Sequence, residues 1–177
     1  MTVTEELVVL VDEEDRELGT GEKLTVHRAG RLHRAFSVFV VDGKWRLLLQ
    51  RRARAKYHSA GLWSNTCCGH PRPAEPVAAA ARRRLGEEMG FDCPLTPVFS
   101  FIYQAELGSG LTEHELDHVL IGWFEGAPRP DPDEVAEWRA VPVETAIAEL
   151  VTAPGAYSAW FRPALHGLVA RGVLKDG

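Results

Sequence analysis

The chain has 177 residues, of which 45% are hydrophobic and 25% are charged. This length suits one domain, and the apolar fraction supplies a sizeable core, which excludes a disulfide-stapled mini-protein and a disordered chain. The formal net charge of −5 gives no general attraction to nucleic acid or to acidic lipids. We therefore expect a single domain over residues 1–177, a monomer, with no nucleic acid and no membrane as partner.

The N-terminal sequence and the cysteines indicate a cytoplasmic protein. The longest apolar runs, such as residues 36–41, fall far short of the roughly 18 residues of a membrane span. The first residues lack the early basic cluster of a secretory signal. Cys67, Cys68 and Cys93 are an odd number of cysteines, and a bond between the adjacent pair would be strained. Reduced thiols and a cytoplasmic location are the resulting expectation.

Apolar runs predict the first strands. An unbroken run over residues 7–11 predicts a buried strand. β-Branched and aromatic residues predict a second strand over 35–41, which ends at the hairpin signal Asp42-Gly43 and pairs with a strand over 45–50. Residues 52–69 have a mixed composition and are predicted to be irregular.

Helix and turn signals organise the rest of the chain. Pro76 near the start and Gly90 beyond the end predict a helix over residues 75–89. Pro163 is expected to kink or delay the last helix. The other predicted elements are strands over 98–106 and 111–124, joined by a turn at 108–110, and helices over 143–151 and 156–169. The order predicts an α/β (α+β) fold, an α/β/α sandwich on a mixed β-sheet.

The sharpest local pattern runs from Gly69 to Phe91, with the letters GHPRPAEPVAAAARRRLGEEMGF. On a helix, Arg83 shares a face with Glu87, four residues further on. Arg84 shares a face with Glu88 in the same way. Carboxylate oxygens suit Mg²⁺, which commonly bridges protein carboxylates to phosphate oxygens. The alternative is a solvated helix face of Arg–Glu pairs.

Scattered histidines and acids form a second candidate site. Glu113 and Glu115 are separated by one residue in a predicted strand, so both project to one face. Imidazoles and carboxylates together suit Mn²⁺, Mg²⁺ or Zn²⁺. Glu113, Glu115 and Asp117 also alternate as a solvent-facing strand would. The histidines to be weighed as ligands are His27, His33 and His70, with His58 and His118 as competitors by spacing.

A cysteine pair and a set of cations accompany these motifs. Cys67 and Cys68 precede a Gly-His turn, where a thiol is a candidate nucleophile, acid or base, or metal ligand. The alternative, a small buried hydrophobe, suits Cys93 better. Cations concentrated in an acidic chain suggest an anionic substrate, although each alone can be solvated surface charge. These cations are Lys23, Arg51, Arg52, Lys56, Arg72, Arg83 and Arg84.

Taken together, the motifs resemble the type 1 isopentenyl-diphosphate isomerases, which are metal-dependent enzymes of the Nudix superfamily. The helix pattern is similar to the Nudix box, except that Arg84 stands where the box has a glutamate. The most specific match is Asn-Thr-Cys-Cys-Gly-His-Pro at residues 65–71. The resemblance covers nearly all of residues 5 to 165 and implies a Nudix fold.

The resemblance implies interconversion of isopentenyl and dimethylallyl diphosphate, by protonating one carbon and deprotonating another. It implies Cys68 as catalytic base, Glu115 with Tyr103 as acid, and Trp160 as an aromatic face for the cation. The implied ligands of Mn²⁺ or Zn²⁺ are His27, His33, His70, Glu113 and Glu115. Glu88 is implied to bind Mg²⁺ with the diphosphate. The implied diphosphate-binding cations are Lys23, Arg52, Lys56 and Arg84.

Two other functions remain open. A Nudix hydrolase of a nucleoside diphosphate compound would share the fold and metal chemistry, but it gives no role to Cys68 or to the pair Glu113 and Glu115. A binding module without catalysis would need neither a reactive thiol nor a costly buried acid.

Overall fold

The computed structural model describes residues 6–175, so residues 1–5 and 176–177 of the predicted domain lie outside the described range. Nine strands of this range form one sheet. The strands are β1 (Leu7–Val11), β2 (Glu17–Glu22), β3 (His33–Val41), β4 (Arg46–Arg52), β5 (Trp63–Ser64), β6 (Cys67–Gly69), β7 (Leu95–Gly108), β8 (Leu111–Trp123) and β9 (Val135–Pro142). The helices are α1 (Lys23–Ala29), α2 (Val77–Met89), α3 (Val143–Thr152) and α4 (Phe161–Ala170), with a 3₁₀ turn at Pro154–Ala156.

The strand β3 lies at the centre of the sheet. It runs parallel to β8 and antiparallel to β1, β4 and β6, so the predicted mixed sheet is confirmed. The parallel register aligns His33 with Glu115. The antiparallel pairing of β7 with β8 then aligns Tyr103 with the same Glu115. Three adjacent strands therefore present one row of side chains across the sheet.

Alternation along β3 feeds two separate apolar layers. Phe36, together with the valines at 38 and 40, packs with Leu85 of α2. Phe39 packs on the opposite face against Phe161 of α4. Fully burying a side chain of this size contributes about 1.5–3 kcal/mol. Helices thus cover both faces of the sheet, which confirms the predicted α/β/α sandwich.

The predicted helix over 156–169 is wrong in its first part. Tyr157 bridges to Trp63, and the Ser158 N–H donates to the Trp63 carbonyl at 2.9 Å, which holds this segment extended beside β5. The helix α4 begins only at Phe161. Pro163 therefore falls in the first turn, where its missing N–H has no helical partner to lose, and it does not kink the helix.

Sequence reasoning missed four short strands and α1. The β2 sequence, ELGTGE, has two glycines and no apolar alternation. Helix α1 has only seven residues and is capped by the Glu22 side chain, which accepts from the N–H groups of Leu24 and Thr25. The two short strands β5 and β6 lie in the segment predicted to be irregular, and β9 is mostly half-buried or exposed, with Glu137 and Arg139 interrupting its apolar residues. None of the helices in the described residues has the length and apolarity needed to cross a membrane.

Candidate active site

A cavity of about 350 Å³ gathers most of the predicted site residues. Its lining combines charged side chains with the aromatic rings of Phe36, Tyr57 and Trp160, and one end carries Lys56 and Arg84. The predicted residues that line it are Lys23, Arg52, Lys56, Cys68, His70, Arg84, Glu88, Tyr103, Glu113, Glu115 and Trp160. His27 and His33 lie behind this lining and are fully buried. The structure therefore brings together residues from five strands, two helices, the loops after β4 and β6, and the turn before α4.

A cluster of three histidines and one carboxylate lies beside the cavity. Ligand atoms of His27, His33, His70 and Glu115 all fall within 4.8 Å of one another. Glu115 Oε1 lies 2.9 Å from His70 Nε2 and 3.4 Å from His33 Nε2. Such a set of imidazoles around a carboxylate is a donor set for a divalent transition metal.

Hydrogen bonds to backbone carbonyls orient two of these histidine rings so that they could bind a metal. The Nδ1 atom of His27 lies 2.7 Å from the Lys23 carbonyl, and that of His33 lies 2.9 Å from the Arg31 carbonyl. A carbonyl only accepts, so Nδ1 carries the proton in both rings and Nε2 keeps its lone pair. Both Nε2 atoms are buried and lack a hydrogen-bond partner. Such orphaned lone pairs, with the ring oriented from behind, suit a metal ion.

Glu113 stands at the edge of this cluster. Its carboxylate groups with His27 and His58 as possible ligands, and its Oε1 lies 3.4 Å from His58 Nε2. Burial lowers the pKa of His58 to about 2, and the neighbouring Arg52 acts in the same direction. By contrast, His118 contacts Asp15 at 2.9 Å and lies outside both groups. Of the two competitors by spacing, only His58 reaches the site.

The Tyr103 hydroxyl joins the two acids of β8. It lies 2.6 Å from Glu115 Oε2 and 3.0 Å from Glu113 Oε2. Burial and the adjacent charge of Glu115 raise the pKa of Glu113 well above its usual range. Burial would also raise the pKa of Glu115, but the adjacent imidazoles of His33 and His70 hold that pKa well below the usual value. One carboxyl of the pair thus holds a proton and the other is ionised, with a hydroxyl between them.

The strand β6 directs the side chains of its two adjacent cysteines to opposite faces of the sheet. Successive residues of a strand point to opposite faces, so Cys67 enters the core beside α2 and Cys68 faces the cavity. The Cys68 Sγ atom lies 3.7 Å from Arg52 Nη1. Burial nevertheless raises the pKa of the Cys68 thiol to about 12, although Arg52 and Lys56 lower it. In the free protein the sulfur therefore carries its proton.

Asn65 and Thr66 hold the cysteine strand in place. The Asn65 amide donates to the carbonyls of Val38 at 3.1 Å and Cys67 at 2.6 Å. The Thr66 hydroxyl donates to the Leu48 carbonyl at 2.6 Å and accepts from the N–H of Val40 at 2.8 Å. These two polar side chains of the motif therefore frame the thiol and do not line the cavity.

Glu88, at the end of α2, is the buried acid at the cationic end. It accepts from Gln50 Nε2 at 2.8 Å and from Arg84, and it lies 3.7 Å from Lys56 Nζ. The neighbouring Arg83 also lines the cavity, but it pairs with Glu75 at 2.7 Å. The two arginines thus differ in partner, because Arg83 braces the start of the helix and Arg84 contacts Glu88.

Aromatic rings hold the other two cations. Lys23 Nζ lies 3.0 Å from Glu6 and 5.1 Å from the ring centre of Tyr57. The Arg52 guanidinium lies 5.5 Å from the ring of Trp160. Sequence reasoning missed several residues of this cavity, because each lies in an element or loop without a motif. The missed residues include the lining residues Glu6, Tyr57 and Glu134, and Gln50, which donates to Glu88.

Comparison with known proteins places the chain. A NUDIX domain family model matches residues 31–161. A solved protein of Deinococcus radiodurans shares the fold, with a TM-score of 0.69 at 20% identity over 84% of this chain and 90% of that one. The fold and the site thus define a protein of the NUDIX family.

Curated relatives narrow this class. The isopentenyl-diphosphate Delta-isomerase of Burkholderia multivorans is 54% identical over 96% of this chain and 94% of its own. Isopentenyl-diphosphate Delta-isomerase 2 of Photorhabdus laumondii is 53% identical over 93% of each chain. The chain belongs to the isopentenyl-diphosphate Delta-isomerase family.

Proposed function

We propose that this protein interconverts isopentenyl diphosphate and dimethylallyl diphosphate, with Cys68 and the Tyr103–Glu115 pair handling the two protons. The observation that carries the proposal is that this thiol and this hydrogen-bonded acid line one cavity whose other end is cationic. The substrate carries an alkene, which needs the acid and the thiol, and a diphosphate, which needs the cations. The setting we propose is a monomeric cytoplasmic enzyme, which the three free cysteines support.

The cationic end of the cavity would bind the diphosphate. Lys56 and Arg84 lie beside Glu88, and Arg52 lies deeper, against the Trp160 ring. A guanidinium binds phosphate oxygens in bidentate fashion, and an ammonium acts as a point charge. Glu88 would hold Mg²⁺, whose charge offsets that of the diphosphate. Anchoring this end fixes the isoprenyl tail between the acid and the thiol, which lowers the entropic barrier to reaction.

The difficult step is protonation of an unactivated alkene. A proton from the Tyr103–Glu115 pair passes to the terminal methylene carbon, which becomes a methyl group and leaves a tertiary cation at the branched carbon. The indole of Trp160 lies buried beside the cavity, and a π face stabilises a desolvated cation by about 2 kcal/mol. Burial of Glu113, Glu115 and Trp160 limits access of the water that would otherwise trap the cation.

The second step removes a proton from the carbon on the diphosphate side of the cation. Cys68 sulfur accepts this proton, and the electron pair of the broken C–H bond forms the new double bond. The protonated thiol and ionised Glu115 of the free protein correspond to the site after this step. Exchange with solvent must then move a proton from sulfur back to the acid before the next turnover in the same direction.

The metal proposed for the histidine cluster is Mn²⁺ or Zn²⁺, held by His27, His33, His70 and Glu115, with Glu113 at its edge. When bound, it would supply positive charge that stabilises the Glu115 carboxylate as its proton leaves. The chain itself orients the rings through the carbonyls of residues 23 and 31.

An NMR assay tests the function. The protein is incubated with isopentenyl diphosphate and Mg²⁺, and the appearance of dimethylallyl diphosphate and of free phosphate is followed. We expect isomer without phosphate. Tyr103→Phe keeps the ring but removes the hydroxyl, and should lower kcat by about a hundredfold to ten-thousandfold. Phosphate release from a diphosphate without isomer would instead support a hydrolase, and neither product would support a binding module.

A further inference from the structure

Glu134 lies directly before β9 and reaches the cationic end of the cavity. Its Oε1 lies 3.3 Å from Arg84 Nη2, and its Oε2 contacts Lys56 Nζ. We propose that Glu134 is a positioning residue of the diphosphate subsite, which holds Lys56 and Arg84 toward the cavity and keeps Lys56 off Glu88. This inference rests on the proposed function only in that it places the diphosphate there.

Backbone hydrogen bonds fix where Glu134 stands relative to Glu88. The Asp131 N–H donates to the Glu88 carbonyl at 3.0 Å, and the Glu134 N–H donates to the Asp131 carbonyl at 3.0 Å. On the other side, the Ala53 N–H donates to the Glu134 carbonyl at 3.0 Å. Glu134 is thereby tied both to the end of α2 and to the loop that carries Lys56.

The glycine that directly follows α2 makes this attachment possible. Gly90 has a φ of +71°, and a Cβ atom there would lie 2.1 Å from the Arg129 carbonyl oxygen. The Arg129 N–H donates to the Met89 carbonyl at 2.9 Å. Because only glycine admits both this backbone conformation and this close approach, the loop before Glu134 can lie directly against the helix end.

Two cations and two carboxylates alternate at this end. Lys56 and Arg84 each contact both Glu88 and Glu134. Lys56 Nζ stays 3.7 Å from Glu88 Oε1 because it is held in direct contact with Glu134. Glu88 is almost fully buried, with 1% of its surface exposed, so it is the stronger electrostatic partner.

Loss of the Glu134 charge would change this balance. The flexible four-carbon stem of Lys56 would let its ammonium close on Glu88, where it would occupy the oxygen proposed for Mg²⁺. Arg84, which already contacts Glu87 and Glu88, would lose an ion pair outside α2. Lys56 would then have to leave Glu88 before it could meet phosphate oxygens, and this reorganisation weakens binding.

The predicted sign is opposite to that of simple electrostatics. Removing a carboxylate beside an anion site reduces repulsion and should strengthen anion binding. A positioning role instead predicts weaker binding when the carboxylate is lost. The direction of the change, more than its size, therefore tests the inference.

The experiment compares Glu134→Gln, which keeps the size of the side chain, with Asp133→Asn. Asp133 is an exposed neighbour whose loss removes the same charge without touching either cation. Calorimetry measures the binding of inorganic diphosphate with Mg²⁺, and steady-state assays measure kcat and KM for isopentenyl diphosphate. Glu134→Asp, which keeps the charge on a shorter stem, should fall between wild type and Glu134→Gln.

We expect Glu134→Gln to weaken diphosphate binding and to raise KM by about tenfold, with a much smaller change in kcat. Asp133→Asn should leave both unchanged or slightly strengthen binding. Binding by Glu134→Gln that is as tight as that of wild type or tighter, or a loss confined to kcat, would overturn the inference. A wild-type protein that binds diphosphate but does not isomerise would defeat the proposed function alone, since the binding comparison still decides the role of Glu134.

Discussion

The indole of Trp160 donates to the Asn65 side-chain oxygen at 2.9 Å, across 95 residues of chain. The Asn65 amide holds the Cys67 carbonyl at the same time. One buried side chain therefore sets the distance between the aromatic wall of the cavity and the strand that carries Cys68. The ring and the strand that carries the thiol are therefore linked through this amide.

Asn65→Asp should damage this link. A carboxylate still accepts from Trp160, but it faces the carbonyls of Val38 and Cys67 without a proton to donate. We expect a loss of about 3 kcal/mol in the free energy of unfolding, measured in urea, and a lower kcat. Ser158→Ala is the control, because it removes a nearby buried hydroxyl that bonds Ser64 and should cost about 1 kcal/mol. Equal losses in the two variants would contradict this account of Asn65.

Substitutions of the two adjacent cysteines should have different effects, one on activity and the other on stability. Cys68→Ala should abolish isomerisation and leave the fold intact, because its sulfur faces the cavity. Cys67→Ala should keep most of the activity and lower the unfolding free energy by about 1–2 kcal/mol, since it removes a packed core atom. Steady-state rates and urea unfolding of both variants check this. Comparable rates in the two variants, or the reverse order, would refute Cys68 as the base.

Metal binding should stabilise the protein through the histidine cluster. Adding Mn²⁺ or Zn²⁺ to protein stripped of metal should raise the Tm, because the ion binds the folded state. His33→Ala removes one of the orphaned nitrogens and should abolish most of this rise, whereas His118→Ala, outside the cluster, should retain it. Elemental analysis of the same samples gives the metal content. An equal rise in both variants would place the metal elsewhere.

His70→Ala and Glu115→Ala should both lose isomerisation, and added Mg²⁺ alone should not restore it. The reason is that the proposed Mg²⁺ site uses Glu88, at the other end of the cavity. Activity assays over a range of Mg²⁺ concentrations check this. Full activity of wild-type protein that contains no metal beyond Mg²⁺ would contradict the two-site account.

Arg84→Ala should raise KM for isopentenyl diphosphate by about tenfold, because it removes a guanidinium at the cationic end of the cavity. Arg82→Ala is the matched control, since Arg82 pairs with Asp92 on the exposed face of the same helix. Its KM should stay close to that of wild type. An unchanged KM in Arg84→Ala, together with phosphate release by wild type, would contradict both the role of Arg84 in holding the diphosphate and the proposal that the protein is an isomerase.

The central layers of the fold were predictable because they are set by periodicity. The run over 35–41 and the punctuated helix before Gly90 appear nearly as predicted. Helix α1 was missed because seven residues are too few to show a helical period, although its first turn places His27 against the Lys23 carbonyl. Short elements of this kind depend on tertiary packing more than on their own propensity.

For the site, prediction from the sequence had a different limit. Alternation correctly placed Glu113 and Glu115 on one face of a strand, but it could not say what covers that face. They alternate as exposed residues do, yet both are buried, as is Asp117, whose pKa burial raises well above its usual value. Glu134 carried no signal at all, because its importance arises only where the loop meets the end of α2.

The central claim is that two different groups handle the two protons, and a reaction in D₂O tests it most directly. Protein equilibrated in D₂O is mixed with isopentenyl diphosphate and Mg²⁺, and product from early turnovers is examined by NMR and mass spectrometry. The Tyr103–Glu115 acid exchanges with solvent before it protonates the alkene, whereas the proton taken from substrate goes to Cys68 and is then lost to solvent. Dimethylallyl diphosphate should therefore carry deuterium in its newly formed methyl group. Product whose new methyl group contains only hydrogen would show one group returning the same proton, and would contradict the account.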